Sequence, residues 1–443
     1  MVLASYVFYG WWDWRFLILN AFTSFCSYVS GLLIQKSQIT NDQSPIAKLW
    51  LWLNIVLNLA ILAVFKYYDF FVSEFGALFG ISTESLLLRI ILPVGISFYT
   101  FQALSYSIDV YRGNIKPTKD IIAFFAFISF FPQLVAGPIE RATNLLPQFL
   151  QKRTFSYEQG ADGMRQILWG LFKKIVVADN CAIYVDQVWA TYPSQSGSTL
   201  LLVAVLFTFQ IYGDFSGYSD IAIGTAKLFG IKLMRNFNNP YFSRDIAEFW
   251  RRWHISLTSW FRDYVYIPMG GNRHGLSRTI FNTLIVFLIC GLWHGANWTY
   301  LVWGLYNVLL FLPLILLGKS KRYKDVPLVW QQFPQILITF VLVTIGWIIF
   351  RAPSVTDAWD VVCNICSGTL WSVPYMLPMQ EMLFMATGIL VMIGVEWLQR
   401  NEAHGLVLNR MNSRVFRYAI YIVLITMILW KGESGDAFIY FQF

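Results

Sequence analysis

Charge is what this sequence has least of. Only 13% of its 443 residues are Asp, Glu, Lys or Arg, against about 25% in an ordinary soluble domain. From Thr279 to Gly318 there is none at all. Histidine and cysteine are scarcer still, at four and five residues. His254, His274, His294 and His404 lack metal-ligand spacing, so no metal site is expected. Cys363 and Cys366 stand in C-x-x-C spacing with no second pair and no histidine nearby, which leaves a metal or redox centre there unsupported. No Gly-rich loop ends in Lys-Ser/Thr to cradle a phosphate, which argues against an ATP-driven pump. No nucleophile elbow is present either.

Apolar residues fill the space instead, at 57% of the chain. One soluble core could not hide so much, and the long apolar runs mean an all-α polytopic membrane protein. Hydropathy places about eleven transmembrane helices, centred near Leu19, Leu59, Ile91, Ile128, Ile175, Ala204, Ile285, Leu309, Val341, Leu390 and Val423. Trp11, Trp12 and Trp14 form an interfacial aromatic belt at the first. No basic stretch precedes that span, so it is expected to be retained rather than cleaved. The net charge is +8, but the cations gather between apolar runs. That is the pattern of cytoplasmic loops, not of nucleic-acid binding. With no repeat, heptad run or low-complexity linker, residues 1–443 read as one integral membrane domain, with core motifs over 85–351 and C-terminal helices over 352–443.

Two basic loops set the orientation. Lys227 to Arg278 holds nine Lys/Arg against three Asp/Glu, and "KSKRYK" spans Lys319 to Lys324. Both are expected on the cytoplasmic side, so the charge-free stretch between them leaves and returns on that side. Within it lies "CGLWHGANW". Sixteen helical residues from Arg278 to His294 cover roughly 24 Å at about 1.5 Å each, short of a hydrocarbon core about 30 Å thick. His294 thus belongs at membrane depth beside a Gly-flanked break, where irregular backbone needs burial in protein or a cavity. One reading is a neutral core histidine bonded to a carbonyl or to Asn297. The other is a functional group, since an ionisable residue at that depth is costly.

Arg244 to Arg273 carries Trp250, Trp253, Trp260 and Phe261 among Arg251, Arg252, His254 and Arg262, with no Gly or Pro before Pro268. A helix through much of it would place Trp250 with His254, and Glu248 with Arg252, on shared faces. It reads either as an interfacial amphipathic helix or as the mouth of a pocket for an anionic donor, to which arginine offers a planar fork. In "YGDFSGYSDIAIG", Asp214 and Asp220 stand with Ser216 and Ser219 at the end of an apolar run. Pairing with Lys227 or nearby arginines is the structural reading, and orienting an imidazole or lining a polar channel the functional one. "FFPQLVAGPIER" reads as architectural, and Lys173 and Lys174 as snorkelling anchors.

"EFWRRWHISLTSWFRDYVYIPMGGNR" followed by "CGLWHGANWTYLVWGLY" resembles the membrane-bound O-acyltransferase family. The likeness is to its bacterial branch concerned with alginate-type polysaccharide O-acetylation. "FPQLVAGPIERATNLLPQF", "QIYGDFSGYSDIAIGTAKLFGI" and "LPVGISFYTFQALSYSIDVYRG" fit the same branch, and the likeness runs from about Phe8 to Arg351. It implies a ring of tilted helices around a central funnel, with re-entrant or interfacial helices. It also implies that His294 matches the family's signature histidine and His254 its second polar position.

By the same resemblance, the chain is an acyltransferase of the bacterial cytoplasmic (inner) membrane. It passes an acyl group, acetyl by preference, from a cytosolic thioester donor (acetyl-CoA or an acyl-carrier) across the membrane to a polysaccharide. The partner implied is an extracytoplasmic acetyltransferase. No cofactor or metal is bound permanently. His294 and His254 are the catalytic candidates. Trp250, Arg251, Arg252, Trp253, Arg262, Asp214, Ser216 and Asn297 are candidates for donor or substrate binding. D-alanyl transfer to teichoic acid, and a transporter or flippase of an acylated carrier with histidine proton relays, are the alternatives. The tail from Lys431 to Phe443 matches no partner-binding element.

Overall fold

A computed structural model of the chain describes residues 1–40, 44–408 and 413–431. Most of the tail singled out above lies outside them. The described residues are mostly helical, with no strand among them. They divide into two compact units, residues 1–160 with 226–234, and residues 161–225 with 235–443.

The first unit contains α1 (Val2–Thr40), α2 (Pro45–Phe79), α3 (Ile96–Tyr111), α4 (Ile121–Ser129), α5 (Phe131–Leu134) and α6 (Ala142–Leu150). Its long helices are apolar outside and joined inside by small polar side chains. Ser27 of α1 donates to Asn54 of α2 at 3.1 Å, and Asn54 donates to Ser107 of α3 at 2.8 Å. Apolar burial drives little association between helices already in lipid, so such bonds and close packing carry it. Trp11, Trp12 and Trp14 stay exposed on α1, which kinks at Asp13.

The second unit holds the rest of α7 (Tyr157–Leu171), then α8 (Asp179–Trp189), α9 (Gly197–Leu228), α10 (Ile246–Arg252), α11 (Ile255–Phe261), α12 (Gly275–His294), α13 (Trp298–Leu316), α14 (Phe333–Arg351), α15 (Val355–Ile365), α16 (Met379–Leu398) and α17 (Arg414–Trp430). Among the described residues, seven helices are long and apolar enough to cross a membrane. They coincide with the expected centres at Leu19, Leu59, Ala204, Ile285, Leu309, Val341 and Leu390. Ile128 falls in the nine-residue α4, Ile175 in a π-helical stretch between α7 and α8, and Val423 in the 17-residue α17. Ile91 lies in non-helical backbone.

The helix expected through Arg244–Pro268 is two short helices meeting at a corner. Trp253 is extended and His254 is left-handed at φ 43°, uncommon for a residue with a Cβ. The amide of Ile255 bonds the Asn236 carbonyl at 2.8 Å, and the amide of Asn238 bonds the Arg252 carbonyl at 2.9 Å. A neighbouring segment therefore takes up the backbone groups an unbroken helix would have used. His254 and Trp250 no longer share a helical face.

α12 and α13 form an antiparallel hairpin that returns to the side it left. A Cβ on Gly291 would sit 2.2 Å from the Tyr300 carbonyl oxygen, and one on Gly304 would sit 2.6 Å from that of Phe287. The helices touch backbone to backbone at both places, which places Arg278 and the Lys319–Lys324 segment at one end. We expect Gly291→Ala to force the hairpin apart at a cost of about 1–3 kcal/mol, the usual scale for overpacking. The measurement is the thermal midpoint of the detergent-solubilised protein, which should fall.

Candidate functional site

The site lies in the second unit and begins with a buried ion pair. Asp245 caps α10, its carboxylate accepting the Glu248 amide at 2.7 Å. Glu248 then receives Arg244 in a fork, Nη2 to Oε1 at 2.8 Å and Nε to Oε2 at 2.9 Å. Arg252 adds a third contact to Oε1 at 2.7 Å, as helical spacing predicts. Burial alone would raise the Glu248 carboxyl, but the two guanidinium groups outweigh it and hold the pKa below its usual range. Arg244 also donates to the carbonyls of Val326 and Pro327 and lies over the Tyr323 ring at 4.2 Å. The basic segment after α13 is thereby held against α10.

That contact shapes a cavity of about 450 Å³, within the range of small-molecule sites. Its buried walls are Trp250, Phe261 and Cys290, with Phe287 half-buried among them, and its exposed side carries Arg262, Lys321 and Lys324, with Arg251 half-buried beside them. Trp250 donates to Asn307 at 3.2 Å and packs edge-on against Trp303, with ring centres 5.6 Å apart. Trp303 in turn packs edge-on against His294 at 5.2 Å. One aromatic wall therefore separates the basic cavity from the histidine.

His294 is the last residue of α12, where Gly295 turns extended and the helix ends. The Gly-flanked break is where the sequence placed it. Trp293, Trp303 and Phe350 surround the imidazole at 5.0–5.2 Å. Asn297 is engaged elsewhere: its Oδ1 caps α13 by accepting the Thr299 amide, and its Nδ2 donates to the Pro353 carbonyl. His254 also packs against Trp293, ring centres 6.0 Å apart, and meets Phe215 at 4.6 Å. The two histidines are 1% and 8% exposed, His254 the lower, so both act in a desolvated setting. Burial pushes the His254 imidazole below its ordinary pKa and keeps it neutral at working pH.

The structure thus brings His254, His294, Trp250, Arg251 and Arg262 around one aromatic wall and its cavity. Other candidates lie apart from it. Arg252 serves Glu248. Trp253 is buried among Phe249, Phe237 and Trp347, as Trp250 and Trp260 are buried too, so these indoles pack into protein. Asp214 pairs with Lys174 at 2.8 Å, and Asp220 with Lys173 at 2.5 Å. Those lysines are ion-pair partners, with Lys173 fully buried, rather than snorkelling anchors. Ser216 and Asp220 line a second, small polar cavity with Lys173, Arg235 and Glu396.

The model of the membrane-bound O-acyltransferase family matches residues 5–352. The probable alginate O-acetylase AlgI of Pseudomonas aeruginosa is 42% identical over 84% of this chain and 70% of its own length. Its counterpart in Pseudomonas putida is 36% identical over all of this chain and 94% of its own. The peptidoglycan O-acetyltransferase of Helicobacter pylori is 32% identical over all of this chain and 91% of its own. The chain belongs to the membrane-bound O-acyltransferase family. It is an enzyme, a multi-pass membrane O-acyltransferase.

In this family member several site residues had no warning in the sequence. Lys321 and Lys324 looked like a topology signal only. Arg244 and Glu248 had the i, i+4 spacing of a surface pair, yet they are buried. Asn236 lies in "RNFNNP", whose clustered asparagines before a helix were the signal available. We expect Arg244→Met to leave Glu248 half-answered and cost roughly 3–5 kcal/mol, as when one partner of a buried pair is removed. A double-mutant cycle with Glu248→Gln checks this: the pair of changes should lower the thermal midpoint by less than the sum of the single ones.

Proposed function

We propose that this enzyme O-acetylates a polysaccharide, taking the acetyl group from a cytosolic thioester and delivering it across the bacterial cytoplasmic membrane. The observation that carries the reading is the cavity with a basic mouth and an apolar body that stops one aromatic layer short of His294. A thioester donor such as acetyl-CoA or an acylated carrier has that polarity, with phosphates at one end and an uncharged arm at the other. Arginine and lysine at the mouth suit the phosphates. The named relatives act on alginate and peptidoglycan, which supports acetyl over D-alanyl as the group moved and a polysaccharide as its acceptor. An extracytoplasmic acetyltransferase is the partner this route implies.

The chemistry needs a base, an oriented hydroxyl and no competing water. In our reading His294 takes the proton of an acceptor hydroxyl as its oxygen attacks the thioester carbonyl. The C–O bond forms, the C–S bond breaks, and the departing thiolate recovers the proton from the imidazolium. A proton on His294 meets the partial negative charge at the C-terminus of the 20-residue α12, which favours a cation. The rings of Trp293, Trp303 and Phe350 keep water from the thioester. His254, beside Trp293, orients the acceptor.

General-base assistance is worth about 10²–10⁴-fold. His294→Ala should therefore lower the acetyl content of the surface polysaccharide at least about 100-fold, read by mass spectrometry at unchanged membrane abundance. Normal acetylation at normal abundance would overturn the assignment. Reversing charge at the mouth, Lys321→Glu with Lys324→Glu, should raise the donor KM and spare kcat. An unchanged KM would remove the cavity from the donor route.

A further inference from the structure

Asn236 holds the corner that carries His254 by both its backbone and its side chain. Its carbonyl takes the Ile255 amide at 2.8 Å. Its side-chain Oδ1 faces three groups: the Ser256 amide at 3.3 Å, the Ser256 hydroxyl at 2.9 Å and His254 Nδ1 at 3.0 Å. The backbone amide can only donate, so the atom it meets must be an acceptor. That fixes the orientation of the side-chain amide, whose Nδ2 points the other way and donates to Ser219 Oγ at 3.2 Å. An acceptor facing His254 Nδ1 in turn requires Nδ1 to carry the hydrogen.

A neutral imidazole has one N–H. With the hydrogen on Nδ1, Nε2 is a bare lone pair. That nitrogen is buried and has no hydrogen-bond partner among the described residues. Phe215 and Phe237 beside it offer no donor, and the indole N–H of Trp293 makes no hydrogen bond to it. A buried acceptor without a partner is costly, so such a group is retained where something else supplies the hydrogen.

We infer that Asn236 is a positioning residue which locks His254 as the Nδ1–H tautomer, so that Nε2 receives the O–H of a second hydroxyl on the acceptor, beside the one whose hydrogen His294 takes. This rests on the acyl-transfer reading above and sharpens it: His254 in this state cannot donate to a thioester oxyanion. It accepts, and so it belongs to the acceptor side of the reaction.

Only four histidines are present, so the tautomer can be read directly. The full-length protein is labelled with ¹⁵N-histidine, reconstituted in lipid vesicles and observed by solid-state NMR, with His254→Gln identifying the resonance. The wild type should show protonated Nδ1 and bare Nε2. Asn236→Asp still accepts and should keep that tautomer and most of the polysaccharide acetylation. Asn236→Leu cannot accept; it should release the tautomer and cut acetylation at least tenfold at unchanged abundance. Finding His254 protonated on Nε2 in the wild type would overturn the inference, as would Asn236→Leu leaving tautomer and acetylation both unchanged. Should Asn236→Leu fail to accumulate, the wild-type and Asn236→Asp spectra decide. If the tautomer is as stated but His254→Ala acetylates normally, the lock stands and the catalytic reading of His254 falls.

Discussion

The buried fork between Arg244 and Glu248 is the interaction on which the site depends. Few charges in this chain lie inside protein, and a charge removed from water must be answered closely or it destabilises everything around it. Here one guanidinium, just before α10, answers a carboxylate in that helix and the carbonyls of a segment some eighty residues later. In doing so it holds the Lys319–Lys324 segment beside α10 and so places cations at the mouth of an apolar cavity. The same pair anchors α10 just before the corner at His254. The cavity mouth and the helix that leads into the histidine corner are thus held by one group of hydrogen bonds.

Desolvation has opposite uses in the two places. At the cavity, aromatic walls leave room for an uncharged arm and the charge stays at the exposed end. At His254, burial disfavours the charged form of the imidazole, and the inferred part of Asn236 is to choose which nitrogen keeps the hydrogen. Neither effect alone would suffice. A buried imidazole without Asn236 could rotate its hydrogen to either side, while an imidazole held by Asn236 but open to water could charge.

Long-range order in the sequence was legible where one physical signal dominated. Seven apolar runs long enough to span became seven long helices, because nothing in them competes with the helix. The run around Ile91 misled: Arg89 and Pro93 interrupt it, and the helix begins only after the left-handed Gly95. The α10–α11 corner was illegible because no Gly or Pro marks it; its cause lies in the 236–238 segment, which pairs with the corner's backbone. Lys173 and Lys174 failed for a similar reason. Position at the edge of an apolar run suggests snorkelling, and only the fold shows Asp220 and Asp214 waiting for them. The Gly-flanked helix end at His294 was legible in its motif, while the Asn236 amide against His254 was not.

Both histidines sit where a helix stops, and that placement bears on their roles. A helix end leaves backbone groups without intrahelical partners, so a side chain there meets a local field rather than a closed ladder. At the end of α12 the field is that of carbonyls, which welcomes a proton arriving on His294. At the start of α11 it is that of amides, which opposes one on His254, in the same sense as its burial. The two fields differ in the sense that the proposed roles require, His294 taking a hydrogen and His254 accepting a bond from a second hydroxyl of the acceptor.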